Sequence, residues 1–214
     1  MIKFGYADDL RRTHNSLLDQ MYSLRAKSFH ERRGWSVSVS ENKEVDHYDS
    51  MNPLYVLSVA PNGQLMASLR LLPTTGPHML PDIFPETMGG KPIIRHPLIL
   101  ESSRFCADTT IANKNMPNGL NSATSELLVG MFEIAMKSNI NNVISVYDVF
   151  MERILKRAGC RFDRLGAPFA YDGLKTVAGL FEVSQLAIDS IRQRSEFHGN
   201  VILNKKGSTK FVWA

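Results

Sequence analysis

Four charged residues stand where charge is costly to place. Arg25 lies on the apolar stripe of a helical repeat, one turn before Phe29. Arg70 lies inside one run that reads as a strand, and Glu101 and Arg104 lie inside another, Leu98–Cys106. A guanidinium or carboxylate leaves water only when it is paired and hydrogen-bonded, and strand interiors rarely hold both signs unless these pair or serve a site. Strict alternation sends Glu101 and Arg104 to opposite faces. Shared membership of one pocket therefore requires a bulge or a strand end, and bulges gather beside active sites. Together the four imply that something polar is held here. For Arg25 alone two readings stand: snorkelling or a salt bridge to Asp46 or Asp49, or a place in a polar ligand pocket. Trp35, isolated in a polar stretch, is likewise either a core anchor or a lid over a flat ligand. Cys106 as a nucleophile is a weaker idea, because a strand cysteine without a nearby histidine is ordinarily core.

The elements that must position these residues follow from periodicity. Leu17, Leu18, Met21, Tyr22, Arg25 and Phe29 keep a 3.6-residue period, which predicts a helix from Asn15 to about His30. Leu54–Ala60 and Gln64–Leu72 read as a hairpin around Pro61-Asn62-Gly63. Pro73–Pro97 is expected to be mostly loop. Helix is predicted from Leu120 to about Ser138, strand over Asn142–Tyr147, and helix over Phe150–Ala158, stopped by Gly159. Arg161–Ala170 is expected as a strand, Lys175–Arg194 as a helix, and Val201–Leu203 with Lys210–Trp213 as closing strands. An opening helix, a hairpin-rich sheet and a later β-α-β alternation imply an α/β or α+β domain with a mixed sheet.

Composition excludes several classes. The chain has 214 residues, 43% hydrophobic and 21% charged, which suits a globular domain rather than a disordered or fibrous one. No apolar run approaches the roughly 20 residues of a membrane span, and Asp8 and Asp9 interrupt any signal-peptide core. Two cysteines, Cys106 and Cys160, make no disulfide framework. The six histidines have no compact ligand spacing, so no metal is expected. A reduced, cytoplasmic protein is expected. The positive surplus falls in residues 111–214, which carry 13 Lys/Arg against 9 Asp/Glu. Within Met151–Arg164, Arg153, Arg157 and, if the helix reaches it, Arg161 share a face by i, i+4 spacing. Such a ridge is either a solvated face or an attractor for an acidic partner or a phosphate. Nucleic acid is disfavoured, because the stripe is short and lacks interleaved aromatics.

The same residues resemble a known family. Leu24-Arg25, Phe29 and Gly34-Trp35 are followed by Glu44-Val45-Asp46-His47-Tyr48-Asp49, Arg70-Leu71-Leu72-Pro73-Thr74-Thr75 and Pro81-Asp82-Ile83-Phe84. Glu101-Ser102-Ser103-Arg104-Phe105 and Met151–Gly159 complete the pattern, which is similar to the acyl-homoserine-lactone synthases of bacterial quorum sensing over roughly residues 10–170. The resemblance implies one domain over residues 1–214, with a twisted, splayed mixed sheet flanked by helices as in GCN5-related N-acetyltransferases. It implies transfer of an acyl chain from acyl carrier protein to the amine of S-adenosylmethionine, then lactone closure with release of methylthioadenosine. No metal or redox cofactor is implied, S-adenosylmethionine being a substrate.

The resemblance also implies roles. Glu101 is the candidate base. Arg25 and Arg104 hold the substrate carboxylate or order neighbouring acids, Asp46 and Asp49 balance the cationic substrate, and Phe29 and Trp35 cover it. Arg70 braces Asp46 or Glu101, and Phe84 is pocket wall or core. Met131, Ile144, Val146, Val149, Met151, Leu155 and Leu174 are candidate lining for an acyl tunnel, and Ser145 a hydrogen-bond partner for a 3-oxo or 3-hydroxy group. Arg153, Lys156 and Arg157 form the expected dock for the carrier protein. Two rivals remain. An acetyl-CoA-dependent GCN5-like N-acetyltransferase would need a glycine-rich pyrophosphate loop, for which Asn118-Gly119-Leu120 is no substitute. A non-catalytic module binding an acidic protein would not need Arg25, Arg70, Glu101 and Arg104 together.

Overall fold

The computed structural model describes residues 1–110, 120–195 and 201. In chain order the elements are β1 (Ile2–Tyr6), α1 (Ala7–Thr13), α2 (Asn15–Arg25), β2 (Val39–Ser40), β3 (Lys43–Glu44), β4 (Leu54–Val59) and β5 (Leu65–Pro73). They continue through α3 (Met79–Ile83), β6 (Ile99–Ala107), α4 (Ser122–Lys137), β7 (Asn142–Asp148), α5 (Val149–Arg157), β8 (Phe162–Arg164), β9 (Phe169–Tyr171), β10 (Leu174–Glu182) and α6 (Gln185–Ser195).

Among the described residues the main sheet runs β1-β4-β5-β6-β7-β10-β8, with β9 beside β10. Its pairings are antiparallel except β6 with β7. Alternation divides β4 between two cores. Leu54 and Val56 join α4 on one face, while Tyr55 and Leu57 join α1 and α2 on the other. The hairpin expected at Pro61-Asn62-Gly63 is present, and Gly63 takes the positive φ of 85° that its turn requires.

Two irregularities in β6 shape the middle of the sheet. The first is a bulge. Arg70 lies opposite Ser103 but Ser68 opposite Cys106, so Arg104 and Phe105 together face Leu69. Arg104 has φ 55°, a left-handed conformation that a non-glycine residue adopts at a cost of about 1 kcal/mol or more. The bulge switches parity, so Glu101, Ser103 and Arg104 all serve the α2 face. The second is a splay. β6 pairs with β7 only from Ile99–Ser102 against Asn142–Ser145, although β6 runs on to Ala107 and β7 to Asp148.

Several expectations are corrected. The first helix stops at Arg25 and continues as a π-turn over Ala26–Glu31, a feature frequent at functional sites. β1 and α1 precede it, where periodicity predicts no element. The proline-rich stretch contains α3. Lys175–Arg194 is not one helix: β10 occupies Leu174–Glu182 and α6 begins at Gln185. Thr176, Val177 and Phe181 favour a strand, and pairing on both sides decides it. Arg161–Ala170 holds β8 and only the start of β9. The closing strands lie, apart from Val201, outside the described residues.

Candidate active site

Behind the bulge sits a closed network of three arginines and three acids. Arg25 is 1% exposed and donates Nε–H to Glu44 at 2.5 Å, with Nη1 and Nη2 forked onto Asp49 at 2.8 Å each. Arg70 donates to both Asp46 oxygens at 2.5 and 2.9 Å, to Asp49 at 2.8 Å and to the Ser103 hydroxyl at 3.1 Å. Arg104 donates Nε–H and Nη2–H to Glu44 at 3.1 and 2.9 Å, and its Nη2 lies 2.9 Å from Asp46. Burial alone would raise Asp49, but Arg25, Arg70 and the Tyr55 hydroxyl outweigh it and hold its carboxyl well below the usual range. Pairing on this scale is what lets six charges sit under a sheet.

In front of the network opens a cavity of about 360 Å³ that passes through the gap between β6 and β7. On the α2 face it is lined by Phe29, Trp35, Met79, Phe84, Glu101 and Arg104. Trp35 meets Phe84 edge-on with centroids 6.0 Å apart, and the Arg104 guanidinium lies 5.4 Å over the Phe29 ring. Glu101 is 1% exposed, and its oxygens accept the Met79 and Leu80 N–H groups at 2.8 and 2.7 Å. Burial raises its pKa to about 7, against the lowering by those two amides and by Arg70. A carboxyl poised near neutrality at a cavity wall is suited to proton transfer.

Past the gap the cavity enters the α4 face and turns apolar, with Leu128, Met131, Val143, Met151, Leu155 and Phe181 in its wall. Ser145 marks the junction, where its hydroxyl donates to the Ser102 carbonyl at 2.8 Å. The mouth is strapped: Arg33 donates to Asp148 at 2.9 Å, and Ser36 donates its N–H and hydroxyl to Asp172 at 2.9 and 3.0 Å.

The structure thus brings Phe29, Trp35, Phe84, Glu101, Arg104, Met131, Ser145, Val146, Met151 and Leu155 to one cavity, and places other expected residues elsewhere. Arg25, Asp46, Asp49 and Arg70 do not line it, because their polar atoms are turned onto one another. Val149, Ile144 and Leu174 are also outside its wall. Sequence reasoning does not single out Glu44 as a site residue, although it is fully buried and stands two positions before Asp46. It also passes over Leu128, Tyr147 and Phe181, because a lining hydrophobe and a core hydrophobe have the same sequence signature. Cys106 is buried against the Ser68 hydroxyl, and burial raises its thiol, consistent with core.

The basic ridge is narrower than its sequence. α5 ends at Arg157 and Gly159 has φ 87°, so Arg161 does not share the helical face. Lys156 lies 2.5 Å from buried Glu152, which also takes Arg164 at 2.5 Å. Burial would raise Glu152, but these two cations outweigh it and lower its pKa. Arg153 and Arg157 are exposed. No described helix is long and apolar enough to cross a membrane.

A helix-flanked mixed sheet splayed at one parallel junction, with a cavity through the splay, defines the GCN5-related N-acetyltransferase class of fold. A protein of Lactobacillus plantarum described as an N-acetyltransferase shares it at a TM-score of 0.56 and 16% identity, over 86% of this chain and 99% of that one. The autoinducer synthase family model matches residues 9–191. An acyl-homoserine-lactone synthase of Agrobacterium fabrum is 35% identical over 83% of this chain and 84% of its own length. The crystal structure of the acyl-homoserine-lactone synthase LasI superposes with a TM-score of 0.78 at 29% identity, covering 96% of this chain and 98% of that one. MesI, described as a CoA-dependent acyl-homoserine lactone synthase, gives 0.80 at 24% identity over 95% and 100%. This chain belongs to the autoinducer synthase family and is an acyltransferase of the acyl-homoserine-lactone synthase kind.

Proposed function

We propose that the chain transfers an acyl group from acyl carrier protein to the amine of S-adenosylmethionine and then closes the lactone, releasing methylthioadenosine. The observation that carries this reading is the cavity itself, which joins a buried carboxyl of pKa about 7 to an apolar pouch through the β6–β7 gap. The methionyl amine must be neutral to attack. Glu101 takes its proton, directly or through a water, and the amine nitrogen bonds to the thioester carbonyl carbon. Main-chain N–H groups of the splayed sheet steady the oxyanion until the thiolate leaves. The methionyl carboxylate then attacks its own γ-carbon and expels the thioether, a step favoured by proximity.

Arg104 is the arginine assigned to that carboxylate in this reading. Its Nη1 lies 3.6 Å from the Met79 sulfur, while its other nitrogens are taken by Glu44 and Asp46. Arg25 and Arg70 act at one remove, by fixing the acids that fix Arg104. Phe29, Trp35 and Phe84 cover the sulfonium and adenosine by cation–π and stacking contact. In the pouch, the Ser145 proton is committed to the Ser102 carbonyl, so the lone pairs of its oxygen favour a 3-hydroxy over a 3-oxo substituent.

Purified protein given S-adenosylmethionine with acyl carrier protein or CoA thioesters of graded length is expected to yield methylthioadenosine and an acyl-homoserine lactone. Neither product with any donor would overturn the reading. The carrier is assigned to the exposed Arg153 and Arg157 of α5, opposite in charge to an acidic protein. Reversing both to Glu is expected to raise KM for acyl carrier protein about tenfold or more while leaving KM for S-adenosylmethionine unchanged. Lys156 is left intact in this test, because reversing it would set two carboxylates together at Glu152. Equal efficiency with CoA thioesters, and no loss in the double variant, would place the donor's handle elsewhere.

A further inference from the structure

Beyond Ser145, the wall of the cavity on the α4 face includes Tyr147. Its ring is held edge-on by Phe162 and Phe181, with centroids 5.8 and 6.0 Å away. Its hydroxyl is buried and has no hydrogen-bond partner among the described residues. A buried hydroxyl without a partner is unfavourable, so the ring stands there for its size and reach, not for a bond. That reach runs across β10. A Cβ added at Gly179 would lie 2.2 Å from the phenol oxygen and 3.1 Å from the adjoining ring carbon. Gly179 is not among the positive-φ glycines, so its backbone does not demand glycine; the seat for Tyr147 does. Tyr147, Gly179 and Phe181 share the sheet face covered by α4 and α5, and Tyr147 and Phe181 stand in the wall of the pouch.

We infer that Tyr147, seated on Gly179, is the end wall that sets the longest straight acyl chain this enzyme accepts. The inference rests on the acyl-transfer reading above. Each methylene that fits an apolar pouch improves binding about fourfold, whereas one that meets a clamped ring must displace it from close packing. The preferred chain is therefore the longest that ends short of the phenol.

The test offers the purified enzyme S-adenosylmethionine and an equimolar series of acyl donors of increasing length, and reads the lactones by mass spectrometry. Tyr147→Ala is expected to shift the most abundant product to a longer homologue. Gly179→Ala, which lifts the ring into the pouch, is expected to shift it to a shorter one. Tyr147→Phe keeps the ring and is expected to keep the preferred length. If Tyr147→Ala fails to fold by circular dichroism, Tyr147→Leu is read in its place with the same expected direction. A wild-type enzyme that makes lactone, with preferred length unmoved in both the Tyr147 truncation and Gly179→Ala, overturns the inference. A wild-type enzyme that makes no lactone from any donor overturns the synthase reading and the inference with it.

Discussion

Glu101→Gln is expected to lower kcat by about 10²–10⁴-fold, the usual contribution of a positioned general base. The wild-type pH profile supplies the matching signature. With a free-enzyme pKa of about 7, the base form is scarce in acid, so kcat/KM should climb through neutrality and level off above it. The variant should lose that step. Stability responds in the opposite direction. The folded carboxyl binds its proton more tightly than the unfolded one, whose value is near 4.5, so the native state of the wild type loses ground as pH rises from about 4.5 to about 7. Melting curves of the variant should lack this decline. The amide keeps one acceptor for the Met79 and Leu80 N–H groups but turns an NH₂ toward the other, so some loosening at the start of α3 is expected by circular dichroism. A variant as active as wild type, with the same pH profile, removes Glu101 from the role of base.

Glu44→Ala is expected to be strongly destabilising. Both Arg25 and Arg104 donate to this carboxylate, and Arg25 has almost no exposure through which water can replace it. Removing one partner of a buried ion pair costs about 3–5 kcal/mol, which at this chain length lowers Tm by about 6–20 °C. Asp8→Ala, which breaks an exposed pair with Arg11, should cost no more than about 0.5 kcal/mol. The contrast separates burial from mere pairing. Acid should reproduce part of the Glu44 effect in the wild type. Asp49 has its folded pKa below its unfolded value of 3.8, so its stabilising contribution is present above that value and is lost as pH falls through the folded one. A Tm for Glu44→Ala within a degree or two of wild type would show that the network is not holding the α2 face together.

The β4–β5 hairpin, α5 with its Gly159 stop, and the need for a bulge or a strand end near Arg104 are all legible in the sequence. Each depends on a turn residue, a cap or a parity mismatch within a few positions. α3 is hidden because a short helix in a proline-rich stretch has no room for a period, yet its first two N–H groups hold Glu101. β10 reads as helix because its apolar run continues into α6, and only pairing with β7 and β8 tells the two apart. The charged positions stand out as a group, but their division does not. Which arginine faces the cavity and which lies behind it depends on Glu44, whose strand β3 is two residues long and has no pattern of its own.

The seam between β6 and β7 is held by few rungs for a junction at the middle of a sheet. Strand pairing therefore resists opening less there than at its neighbours on either side, and native-state amide exchange has a natural boundary along it. The Arg33–Asp148 and Ser36–Asp172 contacts act as stitches over that boundary, so whatever loosens the loop carrying Trp35 also relaxes the grip of one half of the molecule on the other.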